Sequence, residues 1–320
     1  MSVELSLIIP VYNEEENLVP LAREIRAALD PLGFSYEVLW VDDGSADRSA
    51  ERLKELCAAD KNMRAVFFGR NFGQTAAISA GVSHARGRLI ALLDADGQND
   101  PADIPPMLEK MKQANCDLIS GWRKNRQDSS LTRILPSRIA NWIISRVTGV
   151  PLHDYGCTLK VYRAEYLKPL RLYGEMHRFM PAFASAMGAK ICEMQTHHRP
   201  RLRGNSKYGL GRTFKVLLDL MTVKFMGSYL SKPIYFFGGW AAALGATSAL
   251  LAAYTAYHKF YHGVFVKDQP LFLVAIFMAI IAMLLLMLGL LSEVLIRVYY
   301  ELNHGAPYHE RARTWSADHE

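Results

Sequence analysis

Cysteine is scarce in this chain, and the four present, Cys57, Cys116, Cys157 and Cys192, are scattered with no CxxC pair. That spacing argues against a disulfide framework or a zinc site and fits free thiols in a reducing compartment. No GxGxxG or GxxxxGKS/T follows any strand-like run, which argues against a dinucleotide fold or a P-loop. Phosphates would then have to be held by metal and side chains. The first residues, Met1 to Leu7, carry Glu4 and show neither a basic n-region nor a long apolar run, so no secretory signal is expected. Internal repeats and low-complexity tracts are absent as well.

Charge is missing from two long stretches, Pro233 to Tyr257 and Leu271 to Ser292. Each matches the roughly 20 apolar residues that a helix needs to cross a bilayer core. Two membrane spans are expected, at about 233–257 and 271–296, joined by a short loop from His258 to Pro270 that returns the chain to its starting side. Arg212, Lys215, Lys224 and Lys232 precede the first span and Arg297, Arg311 and Arg313 follow the second, while the loop holds only Lys259 and Lys267 beside Asp268. This bias places both termini in the cytoplasm, with residues 297–320 as a cytoplasmic tail. In 211–232, Phe214, Leu217, Leu218, Met221 and Phe225 recur at helical spacing opposite Arg212, Lys215, Asp219 and Thr222, the pattern of an amphipathic juxtamembrane helix.

The remaining composition is that of a globular protein. Half of the 320 residues are hydrophobic and 21% are charged, neither a disordered chain nor a many-span transporter. The net charge of +6 suits nucleic acid, anionic headgroups or a diphosphate equally. A nucleic-acid partner is not expected, because the basic residues gather at Arg123–Arg138 and at the approach to the membrane rather than among aromatic platforms.

Residues 1–210 alternate between apolar runs, at Leu5–Pro10, Val38–Val41, Ala65–Phe68 and Leu89–Leu93, and helical patterns at Leu18–Leu29, Ala50–Ala58 and Thr75–Ala85. Such alternation implies an α/β domain with a mostly parallel sheet and flanking helices. In these sheets ligands bind beyond the carboxyl ends of the strands. The first run ends in Pro10-Val11-Tyr12-Asn13-Glu14, the second in Asp42-Asp43-Gly44-Ser45 and the fourth in Asp94-Ala95-Asp96-Gly97-Gln98. The Asp-Asp-Gly-Ser run is also ordinary turn chemistry that could cap the next helix. Two carboxylates and an amide oxygen within five residues suit a hard cation, Mg2+ or Mn2+, bridging a diphosphate, although the same segment reads as an unremarkable turn when taken alone. The basic cluster Arg123, Lys124, Arg126, Arg133 and Arg138 suits a lipid phosphate or a solvated basic face.

Taken in order, these motifs resemble the family 2 glycosyltransferases, and more narrowly the polyprenyl-phosphate glycosyltransferases that include dolichyl-phosphate mannose synthase and bacterial undecaprenyl-phosphate sugar transferases. Gly121-Trp122-Arg123, His177-Arg178-Phe179, Arg203-Gly204-Asn205-Ser206-Lys207-Tyr208 and the two C-terminal spans extend the resemblance over nearly the whole chain. It implies a GT-A-like catalytic domain and a membrane enzyme with its catalytic domain in the bacterial cytoplasm. The reaction implied is inverting transfer of a sugar from a nucleotide-sugar to a polyprenyl phosphate. The resemblance further implies that Pro10, Tyr12, Asn13, Glu14, Asp42, Gly44, Asp94 and Lys207 bind the donor, and that Asp94, Asp96 and Gln98 hold the metal. Arg123, Arg133, Ser137 and Arg203 are implied at the acceptor phosphate. Asp96, Asp154 and Arg123 are the catalytic candidates, with Asp154 orienting sugar or acceptor. Trp122 stands where dolichyl-phosphate mannose synthases carry serine, which points away from mannose and GDP; UDP and undecaprenyl phosphate are the expected pair. A processive polysaccharide synthase would carry QxxRW, which is missing here; a transporter or flippase component would need a polar pathway, which two charge-free spans give only if the chain oligomerises; and a silent subunit would not need the Asp94–Gln98 run. Homo-oligomerisation is compatible with the hairpin.

Overall fold

A computed structural model of the chain describes residues 3–124, 141–170, 172, 174, 176–199 and 233–302. It divides into two units, Met1–Val223 and Lys224–Glu320.

The first unit is built on a seven-stranded sheet. Its elements are β1 (Leu5–Val11), α1 (Leu18–Leu29), β2 (Tyr36–Asp42), α2 (Ser49–Ala59), β3 (Met63–Phe67), α3 (Gln74–His84), β4 (Leu89–Leu92), α4 (Ile104–Gln113) and β5 (Leu118–Trp122). They continue with helical residues 141–148 (α5), β6 (Lys160–Arg163), α6 (Ala164–Leu167), α7 (Met180–Ala186) and β7 (Ile191–Gln195). The strand order is β3-β2-β1-β4-β6-β5-β7, and only β6 runs antiparallel to its neighbours. β1 and β2 read as near-continuous apolar runs because helices cover both faces of a parallel sheet. On one face α1 contributes Leu18, Leu21, Ala22, Ile25 and Leu29, a stripe at helical spacing, to a core with Leu7, Ile9, Val38 and Trp40. On the other, Ile78 and Val82 of α3 pack with Ile8, Leu39, Ile90 and Leu92.

One local feature opens the carboxyl edge of the sheet. The Ile8 carbonyl accepts a hydrogen bond from the Leu93 N–H at 3.1 Å, so Ile8 and, two residues on, Pro10 face β4. The β1–β4 register ends at Ile8↔Leu92, whereas β1–β2 pairing continues to Val11↔Asp42. Pro10, which has no N–H to donate, therefore sits where β1 has outrun its neighbour and no ladder bond is lost. The two strand ends separate there.

The second unit is a pair of long helices, α8 (Pro233–His262) and α9 (Pro270–Leu302). Over Pro233–His262 and Pro270–Ile296 both are long and apolar enough to cross a membrane. The first helix runs on past Tyr257 to His262, so the connection is shorter than the His258–Pro270 loop expected: Tyr254, Tyr257, His258, Tyr261 and His262 stack on one another along continuing helix. Small residues let the two backbones approach. Ala241, Ser248 and Thr255 on α8 and Ala275 and Ala282 on α9 are buried at seven-residue intervals, and the Ser248 hydroxyl donates to the Ala275 carbonyl at 2.7 Å. The juxtamembrane helix expected at 211–232 and the tail from residue 303 lie outside the described residues.

Candidate active site

The carboxyl ends of β2, β1, β4 and β5 lie along one edge of the sheet and carry the polar runs read from the sequence. The first two are cross-laced. Asn13, held at φ +56°, donates its N–H to Ser45 Oγ at 2.9 Å and accepts the Ala46 N–H on its side-chain oxygen at 2.8 Å. The Glu14 N–H donates to Ser49 Oγ at 3.0 Å, and Glu15 exchanges bonds with Asp47 and the Arg48 N–H. Ser45 in turn donates its hydroxyl to Asp42, which is buried at the end of β2. The Pro10–Glu14 loop and the Asp42–Ser45 turn are thus one rigid assembly, with Tyr12 exposed beside them.

Asp43 has a different task from Asp42. It is buried and accepts the N–H groups of Phe72 and Gly73, at 2.7 and 2.9 Å, together with the Asn71 amide at 3.0 Å, fastening the loop that leads into α3. Gly44, at φ +68°, permits this approach: a Cβ there would lie 2.4 Å from the Arg70 carbonyl carbon.

At the end of β4, Asp96 is buried and accepts the Gln98 N–H at 3.1 Å, which closes the turn through Gly97 at φ +70°. Asp94 accepts the Gln74 side-chain amide at 2.8 Å. Burial, and then the negative charge of Asp96, push the Asp94 carboxyl up to about 6, while the Thr158 hydroxyl, Arg123 and Lys160 pull the other way. Among the described residues no group of three or more His, Cys, Asp or Glu side chains converges on one metal position.

Arg123 and Asp154 come together in a two-pronged ion pair, Nε to Oδ2 at 2.7 Å and Nη2 to Oδ1 at 3.0 Å. Both side chains are largely buried, at 12% and 5% exposure. Burial alone would disfavour the Arg123 cation, but the hydrogen bonds and charge of Asp154 outweigh it and raise its pKa. The preceding residues pair as well: the Trp122 ring stacks on His153 at 4.3 Å, and Glu193 fixes His153 through its N–H and Nδ1. Arg126, Arg133, Ser137, Arg138, Arg201, Arg203 and Lys207 lie outside the described residues.

Three contributors escaped the sequence reading. Lys160 is buried on β6, opposite Leu92 and Ser120, and its ammonium donates to the main-chain carbonyls of Tyr155 and Cys157. That pins the turn bearing Asp154 and Thr158, and burial lowers the Lys160 pKa. Gln74 and Thr75 open α3, where Thr75 Oγ1 lies 2.7 Å from His177 Nδ1. The available signal was the polar run Arg70–Thr75 after the third apolar run, a strand end like the other three.

The edge therefore offers carboxylates, a cross-laced loop pair and a buried arginine at the mouth of a GT-A-like sheet, the layout of a glycosyltransferase. Residues 6–171 match the family described as Glycosyl transferase family 2, and the chain belongs to it. It is 43% identical over 302 residues to the dodecaprenyl-phosphate galacturonate synthase of Rhizobium johnstonii, covering 93% of this chain and 89% of that protein. It is 38% identical to the undecaprenyl-phosphate 4-deoxy-4-formamido-L-arabinose transferase of Pseudomonas paraeruginosa, covering 93% of this chain and 86% of that protein. Two solved structures share the fold. Mycobacterium tuberculosis glucosyl-3-phosphoglycerate synthase, in complex with Mn2+, UDP and phosphoglyceric acid, aligns at TM-score 0.54 and 13% identity over 70% of this chain and 78% of that one. S. aureus TarS 1-349 in complex with UDP-GlcNAc aligns at TM-score 0.51 and 16% identity, covering 94% of this chain and 92% of that one.

Proposed function

We propose that this glycosyltransferase moves a sugar from a UDP-sugar to undecaprenyl phosphate at the cytoplasmic face of a bacterial membrane. The observation that carries the reading is the likeness, over 93% of the chain, to relatives named for attaching sugars to polyprenyl phosphates. The two long apolar helices suit a lipid acceptor, since they hold the enzyme where that lipid diffuses. The charge bias around them supports a cytoplasmic catalytic unit.

In this reading the rigid assembly of Pro10, Tyr12, Asn13, Glu14, Asp42 and Gly44 receives the nucleoside, with the Asp42 carboxylate as an acceptor for its N–H and O–H groups, and Lys207 contributes to donor binding. Asp94, Asp96 and the Gln98 amide oxygen would hold Mg2+ or Mn2+. The donor set fits such an ion, because two carboxylates in one turn, one with its carboxyl pushed up to about 6 by burial and by the other's charge, are relieved by a hard cation. When bound, the ion supplies charge stabilisation for a departing diphosphate.

The acceptor is a phosphate that is largely ionised near neutrality and needs positioning more than deprotonation. Arg123, Arg133, Ser137 and Arg203 are the candidates for holding it. Asp154 fixes the Arg123 guanidinium in place and leaves its remaining N–H edge for an anion. Attack of a phosphate oxygen on the anomeric carbon, opposite the leaving diphosphate, forms the new C–O bond as the old one breaks and inverts configuration.

The test is transfer from a panel of radiolabelled UDP- and GDP-sugars to short polyprenyl phosphate with Mg2+ or Mn2+, comparing wild type with Asp96→Ala. The panel includes galacturonate and 4-deoxy-4-formamido-L-arabinose donors, the sugars in the relatives' names. Metal-dependent glycolipid from a UDP-sugar, lost in Asp96→Ala, is the expected outcome. A folded wild type that transfers nothing, or transfers equally well in EDTA, would overturn the reading.

A further inference from the structure

Three consecutive residues at the start of α3 each bind a different part of the catalytic edge. The Gly73 N–H goes to Asp43 at the end of β2, the Gln74 amide to Asp94 beyond β4, and the Thr75 hydroxyl meets His177. α3 itself is seated on the sheet through Ile78 and Val82, and Gly81 lies against Ile8 so closely that a Cβ would fall 2.3 Å from Cγ2. The backbone of residue 74 is therefore held on both sides, within reach of Asp94, to which its side-chain amide donates at 2.8 Å.

We propose that Gln74 is the positioning residue for Asp94, holding one carboxylate oxygen so that an incoming divalent cation meets a preset ligand. This inference rests on the metal reading above. The chemistry of the side chain suits the role. Only the amide NH2 can donate to a carboxylate, so the orientation of the Gln74 amide is determined by its partner. Being neutral, the amide fixes the carboxylate without competing with the cation for it, as a lysine or arginine at that place would. Partners that orient a metal ligand typically contribute roughly 10–100-fold to metal affinity or activity.

The experiment uses the full chain in nanodiscs and titrates Mn2+ in the presence of UDP, read by electron paramagnetic resonance, with Asp96→Ala as the blank. Gln74→Leu removes the donor; Gln74→Asn keeps an amide but withdraws it beyond reach, and guards against a folding failure peculiar to the leucine variant. Mn2+ affinity should fall roughly 10–100-fold in both. Transfer activity should return toward wild type at saturating Mn2+, and the unfolding temperature should hold. A merely structural role would lower the unfolding temperature and leave Mn2+ affinity unmoved. Unchanged Mn2+ affinity in both variants would overturn this inference while leaving the metal reading intact. A wild type that binds no Mn2+ above the blank would overturn both.

Discussion

Removing Asp154 strands a buried cation, and the size of that effect can be worked from the geometry. The Arg123 side chain is 12% exposed and donates two hydrogen bonds to Asp154, at 2.7 and 3.0 Å, while Asp154 also accepts the Gly156 N–H at 3.0 Å. In Asp154→Ala the guanidinium stays desolvated without its counter-charge, and breaking one side of such a pair costs about 3–5 kcal/mol. For a unit of the length of Met1–Val223, each kcal/mol shifts the unfolding midpoint by roughly 2–4 °C, so a fall of roughly 6–20 °C is expected. The double variant Arg123→Met/Asp154→Leu removes both charges and should recover most of that loss, because well-packed apolar replacements of buried pairs are often neutral. Asp154→Asn, which keeps one acceptor oxygen, should fall between. The assay is a double-mutant cycle on thermal unfolding of the full chain in nanodiscs, with transfer measured alongside. Additive losses in the cycle, or a stable Asp154→Ala, would refute the claim that these residues act as one buried unit. Transfer should stay low in the double variant even as stability returns, since the Arg123 edge proposed to hold the acceptor phosphate has gone.

Three further outcomes follow from the same site. The Asp94 carboxyl, pushed up to about 6 by burial and by Asp96, must be ionised to bind a cation, so Mn2+ affinity should be full above that pH and weaken as pH falls through it. A raised carboxyl pKa also means that protonation favours the folded state, so the metal-free protein should gain stability at Asp94 as pH drops from above 6 toward the ordinary carboxylate range, opposite in sign to the usual acid effect. An Mn2+ titration from pH 5 to 8 with flat affinity would dismiss this assignment. In Gly44→Ala, the new Cβ meets the Arg70–Asn71 backbone at 2.4–2.7 Å in a left-handed conformation, at a cost of about 1–3 kcal/mol. The 70–73 loop should shift away from Asp43, with limited proteolysis after Arg70 as the readout; an unaltered cleavage pattern would show that the loop is not held this way.

Much of the fold was legible in residue order. The apolar runs of β1 to β4 and the helical stripe of α1 fell within a residue or two of their observed bounds, because strands covered on both faces are mostly apolar, with the buried Ser6 and Glu37 hydrogen-bonded to each other, and helices must present a stripe. β5, β6 and β7 were not separated in advance: they are four or five residues long, and β6 enters the sheet antiparallel between β4 and β5, a placement that no local periodicity encodes. The first long apolar helix also runs beyond its charge-free stretch, since Lys259 and the surrounding aromatic rings continue the helix.

The site divides in the same way. The sequence by itself determined which chemistry is available, because carboxylates and amides at strand ends are visible as motifs and the sheet's topology brings strand ends together. The tertiary structure decided their assignments. It separated Asp42, which accepts the Ser45 hydroxyl beside the Pro10–Glu14 loop, from its neighbour Asp43, which anchors the α3 loop. It joined Arg123 to Asp154 across 31 positions and Gln74 to Asp94 across 20. It also set Lys160 beneath the Asp154 turn. Side-chain partners that distant in sequence depend on strand order and register, and those are fixed only when the whole sheet closes its hydrogen bonds and buries its two faces.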